Sequence, residues 1–67
     1  MNKFSERLKE ARKAERLTQG QLAEKINTTD DSIFSWEKGR SQPSIEYLCA
    51  LCKALGVSAD YLIGLED

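Results

Sequence analysis

The sequence predicts an all-α fold, a compact domain of five short helices. Apolar residues recur with helical spacing nearly throughout, and no stretch alternates polar and apolar residues for long enough to form a strand. Residues that favour helix N-caps precede four of the apolar stretches. The chain has no internal repeat and no long linker, so we expect residues 1–67 to form one domain.

The first two helices are predicted from apolar spacing and from capping. Three apolar residues on one face place the first helix at about residues 5–15. These are Phe4, Leu8 and Ala11. The second helix begins at Thr18, because Thr18 and Gln21 have the spacing of a capping box. It ends at Asn27, a residue type that adopts the left-handed conformation at little cost.

The remaining helices each have a predicted cap and an apolar face. Thr29 caps the third helix, Gly39 ends it, and Ile33 and Trp36 face inward. The fourth helix follows Ser44, ends at Gly56 and carries one apolar stripe. The stripe contains Ile45, Leu48, Leu51, Cys52 and Leu55. A short fifth helix follows a cap at Ser58. Its apolar residues are Tyr61 and Leu62, with Leu65 at its end.

Residues 18–38 combine the features that a sharp helix-turn-helix requires. Ala23 is a small residue where the second of two helices would cross the first, and Asn27 is a turn residue four positions later. Ile33 and Trp36 supply the apolar contacts that fix the crossing. Because four requirements are met at the correct spacing, chance agreement is much less frequent than for a single motif.

The segment LTQGQLAEKINTTDDSIFSWEKGRSQPS resembles the helix-turn-helix of the Cro and phage-repressor family, and ALGVSADYLIGLED resembles the end of that domain. The resemblance runs from Phe4 to Leu65. It implies a lambda repressor-like fold and a transcriptional regulator, with a repressor favoured, that binds double-stranded DNA. It also implies a homodimer on a two-fold operator, with the third helix in the major groove.

The resemblance further implies roles for individual residues. Five positions match residues that contact DNA phosphates: Gln19, Thr29, Ser32, Lys38 and Arg40. Three match residues that meet base edges, and a phenylalanine lies close to them: Asp30, Asp31, Ser35 and Phe34. Arg12 and Glu37 match a structural ion pair between the first and third helices. The competing interpretation is that Gln19, Lys38 and Arg40 are ordinary polar surface residues that make no contact with DNA.

Asp30 and Asp31 depart from the family, whose members usually carry Gln, Arg, Ser or Lys there. Carboxylates are repelled by phosphates and offer only hydrogen-bond acceptors. The acids could serve the helix dipole, could select the amino groups of cytosine or adenine, or could belong to a surface that binds protein. The alternative function is therefore a protein-interaction module that keeps the fold, with exposed Phe34 as its anchor.

Composition limits the other function classes. The net charge is −1, but residues 1–26 carry a net +3 and residues 45–67 a net −3, so a local basic patch remains available. The chain has no histidine and no clustered nucleophile and base, so we expect no enzyme, metal, cofactor or small-molecule ligand. Cys49 and Cys52 are predicted to be small core residues. No apolar run approaches the ~20 residues of a membrane span, and a cytoplasmic protein is expected.

Overall fold

The computed structural model describes residues 3–66 and confirms the all-α prediction for that range. It contains five helices: α1 (Lys3–Ala14), α2 (Gln19–Ile26), α3 (Asp30–Lys38), α4 (Ile45–Leu55) and α5 (Ala59–Ile63). The first helix begins two residues earlier than the apolar spacing predicted. No strand is present within residues 3–66. None of the five helices has the length and apolar character needed to cross a membrane.

The four predicted N-caps are all formed. Thr18, Thr29, Ser44 and Ser58 each have extended backbone and accept a hydrogen bond from the backbone N–H three residues later. At Thr18 the capping box is complete, because the Gln21 side chain accepts the Thr18 N–H at 2.9 Å. Each cap satisfies a backbone donor that a helix start would leave unpaired, and so fixes where the helix begins.

The end of α1 is a feature that the sequence did not predict. Arg16 adopts the left-handed conformation at φ 59°, although its side chain gives it no special tolerance for it. The Leu17 N–H donates to the Arg12 carbonyl at 3.1 Å, and the Arg16 N–H donates to the Lys13 carbonyl at 2.9 Å. These two bonds form a Schellman motif, which closes α1 and turns the chain toward α2.

The core contains one fully buried aliphatic residue from each helix. These residues, all with 0% exposure, are Leu8, Leu22, Ile33, Leu51 and Leu62. Around them pack Phe4, Trp36 and Leu55, which are also buried. Because every helix contributes to the same cluster, the relative positions of α2 and α3 depend on all five helices.

The first and last helices pack together and close the domain. The Arg7 guanidinium donates to the Tyr61 carbonyl at 2.6 Å and lies 4.5 Å from the centre of the Tyr61 ring. It also donates to the backbone carbonyl of Glu66, whose side chain accepts a hydrogen bond from Ser58. Residues that follow α5 are therefore held against α1.

Several predicted core positions are wrong or only partly correct. Ile45 is 80% exposed because it is the first residue of α4 and lies beyond the end of the apolar cluster. Cys49 is exposed and Cys52 half-buried. Cys49 lies about 200° around the helix axis from buried Leu51, and so faces away from the core. Leu65 is 73% exposed, because α5 ends at Ile63 and Gly64 turns the chain at φ 90°.

Candidate nucleic-acid interface

The α2–α3 unit has the predicted sharp turn. Asn27 takes the left-handed conformation at φ 63°, and the Thr28 N–H donates to the Ala23 carbonyl at 2.9 Å. Ala23 is buried where the helices meet, and Ile33 and Trp36 are buried on the inner side of α3. The structure thus confirms three buried positions, Ala23, Ile33 and Trp36, and the left-handed turn residue Asn27. The opposite side of α3 is left facing solvent.

Helix α4 supports this turn from behind, which the sequence did not indicate. The Tyr47 hydroxyl donates to the Asn27 carbonyl at 3.4 Å. The Tyr47 ring packs on Trp36 with 5.6 Å between ring centres. On α1, the buried Ser5 hydroxyl donates to the Trp36 carbonyl at 2.8 Å. The turn and the inner side of α3 are therefore held by side chains from two other helices.

The predicted ion pair between Arg12 and Glu37 is present and is almost fully buried. Arg12 Nε lies 2.7 Å from Glu37 Oε2, with side-chain exposures of 10% and 4%. A second bond joins Arg12 Nη2 to Glu37 Oε1 at 3.1 Å. The third guanidinium nitrogen donates to the Leu17 carbonyl at 2.7 Å. Forked pairing of this kind fixes both side chains in direction as well as in position.

Gln19 joins the same network. Its side-chain Nε2 donates to Glu37 Oε1 at 3.1 Å, so Glu37 accepts from α1 and from the first residue of α2. This contact was not predicted, because the family resemblance implied a phosphate contact for Gln19 and a separate ion pair for Arg12 and Glu37. The network orients the Gln19 amide at the helix N-terminus, where free backbone N–H groups and the helix dipole favour an anion.

The polar residues at the start of α3 fall into two groups. Thr29 and Ser32 belong to the N-cap: the Thr29 hydroxyl oxygen accepts the Ser32 N–H at 3.2 Å and lies 3.1 Å from the Ser32 hydroxyl. Asp30 and Asp31 are exposed in the first turn of the helix, where their charge is favourable to the helix dipole. Ser35 is half-buried, one turn further along.

The C-terminal end of α3 has the opposite charge. Lys38 and Arg40 are both exposed and flank the Phe34 ring, with the Lys38 ammonium 5.6 Å and the Arg40 guanidinium 5.4 Å from its centre. Gly39 at φ 76° turns the chain between them, and the Arg40 N–H donates to the Ser35 carbonyl at 2.9 Å. A partly exposed aromatic ring with two cations beside it thus follows the acidic first turn on the same helix. The only sequence indication of this cluster was the four-residue spacing of Phe34 and Lys38.

Comparison with known proteins gives consistent relatives. A family model described as helix-turn-helix matches residues 8–62. An uncharacterized HTH-type transcriptional regulator, YobD of Bacillus subtilis, is 39% identical over 96% of this chain and 57% of its own length. The immunity repressor protein of Bacillus phage phi105 is 39% identical over 91% of this chain and 42% of its length. The chain spans less than two thirds of either relative.

Solved structures match over nearly the whole chain. The P22 c2 repressor protein, in complex with a synthetic operator, superposes with a TM-score of 0.92 at 32% identity. The match covers 98% of this chain and 100% of that one. The restriction-modification controller protein C.AhdI from Aeromonas hydrophila superposes with a TM-score of 0.83 at 30% identity, over 90% and 91% of the two chains.

Proposed function

This chain belongs to the helix-turn-helix family of the Cro and phage-repressor type, and from that premise we propose that it is a transcriptional regulator that binds duplex DNA sequence-specifically. Repression is the favoured mode, because two similar proteins are phage repressors. The observation that carries the proposal is the superposition on a repressor in complex with an operator. The function consists of binding, with no catalytic step. We place it in the cytoplasm, because the similar proteins are bacterial and phage regulators.

Phosphate binding is assigned to both ends of the α2–α3 unit. Gln19 begins α2 with its amide oriented by Glu37, and Thr29 and Ser32 begin α3. Lys38 and Arg40 are exposed at the other end of α3. In this arrangement, phosphate contacts on either side position α3 along the major groove but carry no sequence information themselves.

Base recognition is assigned to the exposed side of α3. Asp30 and Asp31 can only accept hydrogen bonds, so they favour the amino groups of cytosine or adenine. Ser35 is short and reaches only a base edge that comes close. Phe34 offers an apolar edge for a thymine methyl group, and the Lys38 and Arg40 cations beside its ring offset the charge of the two carboxylates on the same helix.

We assign dimer formation to an apolar surface away from α3. Ile45, Ile63 and Leu65 are each exposed, and we assign them to this surface. A shallow groove at Ile63 is also lined by Phe4, Gln42, Pro43 and Leu48. A second copy across a two-fold axis would cover these side chains and place two α3 helices on half-sites about 34–36 Å apart.

The test is selection from a randomised duplex pool, followed by fluorescence anisotropy of the selected site across a salt series. We expect a two-fold-symmetric site whose affinity falls steeply with salt. Arg40→Ala should reduce the slope of log K against log[salt] by about 0.9. Lys53→Ala on α4 is the matched control and should leave the slope unchanged, because Lys53 is not assigned a DNA contact. Failure to enrich any site would contradict the proposal.

A second candidate function is a protein-interaction module, and the cluster at Phe34 favours it. An exposed ring with two cations beside it, on a helix whose first turn is acidic, can anchor a partner chain. Binding by this route would depend on Phe34 and would change little with salt. The same salt series therefore distinguishes the two functions.

A further inference from the structure

Cys49 and Cys52 form a pair of thiols that the proposed function does not use. Both are free, with Cys49 exposed and Cys52 half-buried. They are three residues apart within one continuous helix, Ile45–Leu55. Residues at this spacing are neighbours on a helix surface, with Cβ atoms about 5–6 Å apart. The exposed thiol therefore lies beside a second thiol that solvent also reaches.

The surroundings of Cys52 affect its ionisation. Burial raises the pKa of the Cys52 thiol above its ordinary value, and the neighbouring Cys49 raises it further. Cys52 is therefore held as the neutral thiol beside the exposed Cys49. The exposed Cys49 is the position at which a reagent would make first contact.

A direct disulfide fits this geometry poorly. It requires Cβ atoms about 3.5–4.5 Å apart, which is closer than the ~5–6 Å spacing on a regular helix. Closing that gap would distort α4 where the Cys52 carbonyl accepts the Gly56 N–H at 2.9 Å and the Val57 N–H at 3.2 Å. A bridge with one additional atom between the two sulfurs spans the helical spacing without this distortion.

A four-ligand metal site is also a poor fit. Structural zinc takes four protein ligands. Within residues 3–66 there is no group of three or more His, Cys, Asp or Glu side chains that could hold a metal ion. Cys49 and Cys52 therefore suit a bound atom that needs only two sulfur ligands from the protein and that prefers soft ligands.

We propose that Cys49 and Cys52 form a dithiol site for trivalent arsenic compounds. With an organic arsenoxide, R–As=O, the two thiols form two As–S bonds and the arsenic–oxygen bond breaks. The two thiol protons leave with that oxygen as one molecule of water, and arsenic remains trivalent. No oxidant or reductant is consumed. Cys49 bonds first, and Cys52 closes the bridge along the same side of α4.

The test uses the reduced 67-residue chain and phenylarsine oxide. Mass spectrometry should show one adduct with the mass of the arsenoxide less water, and thiol titration should show the loss of both free thiols. Glutathione at about 0.1 mM should not displace it, because the second thiol acts at an effective concentration in the millimolar range. The same glutathione should displace arsenic from Cys49→Ser and from Cys52→Ala. If glutathione displaced the adduct from the unsubstituted chain as readily as from the two variants, the proposal would be overturned.

Thermal unfolding decides whether the folded helix is the binding form. A ligand that prefers the folded chain raises Tm, and one that prefers the unfolded chain lowers it. We expect Tm to rise with phenylarsine oxide for the unsubstituted chain and to remain unchanged for Cys49→Ser. A Tm that stays constant or falls would show that the helix does not present the site, and the proposal would fail. Neither readout involves DNA, so the outcome is independent of the proposed function.

Discussion

Replacing Glu37 with glutamine should be the most informative single change in the network that joins α1, α2 and α3. The glutamine side chain would keep the shape of the original and one acceptor oxygen, but the Arg12 charge would lose its partner. The Arg12 side chain is 10% exposed, so water cannot replace the carboxylate. Leaving one member of a buried pair uncompensated costs about 3–5 kcal/mol. Arg12 would keep its hydrogen bond to the Leu17 carbonyl, so we expect a loss of stability near the lower limit, at about 3 kcal/mol.

This loss is large for a domain of 67 residues. At roughly 0.05–0.15 kcal/mol per residue, its whole free energy of unfolding is about 3–10 kcal/mol. Urea denaturation followed by Trp36 fluorescence measures the change directly, because that ring is buried in the folded state. With an m-value near 1 kcal/mol/M, the midpoint should fall by roughly 3 M, or the variant should be largely unfolded without urea.

Two further variants make this reasoning refutable. Glu24→Gln removes an exposed carboxylate on α2 and should change stability by less than about 0.5 kcal/mol. The double variant Arg12→Met with Glu37→Met removes both charges and should be much closer to the unsubstituted chain than Glu37→Gln is. If Glu37→Gln costs less than about 1 kcal/mol, the pair is not electrostatically isolated and the argument from burial is wrong.

Three other predictions concern backbone conformation and the support of the turn. Arg16→Gly should raise the free energy of unfolding by about 0.5–1 kcal/mol in urea denaturation, because it relieves a left-handed conformation, whereas Arg16→Ala should not. Gly39→Ala should destabilise by about 1 kcal/mol, since φ is 76° and its Cβ would meet the Ser5 hydroxyl oxygen at 3.4 Å. Gly20→Ala, at a position in α2 where the added Cβ would meet no atom nearer than 4.0 Å, should instead stabilise the domain by about 0.5–1 kcal/mol. If the two substitutions change stability in the same direction, this explanation is wrong. Tyr47→Phe should cost about 0.5 kcal/mol by calorimetry, and a cost near zero would mean that its bond to Asn27 contributes nothing.

The helix boundaries were largely predictable because they depend on local chemistry. Thr18, Thr29 and Ser44 are residues whose hydroxyl groups satisfy helix donors a few positions away, and Asn27 is a residue that tolerates a left-handed turn. Arg16 adopts the same conformation as Asn27 without any such tolerance. Its conformation belongs to the Schellman motif that closes α1, and an arginine at that position gives no indication of it.

Burial along α4 was less predictable than its boundaries. A helical stripe shows which residues share a side, but it does not show where the neighbouring helices stop covering that side. Ile45 therefore fitted the apolar stripe and is nevertheless exposed. Cys49 lies off that stripe, so its exposure follows from the helix geometry itself. The contact between Gln19 and Glu37 was inaccessible for a related reason, since it joins two elements and has no recurring sequence spacing. The Arg12–Glu37 pair was expected only because the family resemblance implied it.

The packing of α1 against α5 also has a consequence for how the chain is made. Arg7 and Tyr61 are separated by 54 positions, so α1 leaves the ribosome long before the helix that covers it. At about 5–20 residues per second, the interval is roughly 3–10 s. The helices α2 and α3 are joined by a short turn and can pair at once, with a much smaller loop-closure cost. We therefore expect a nascent chain in which α2 and α3 can already contact each other, while the apolar side of α1 stays uncovered until the last residues of the domain emerge.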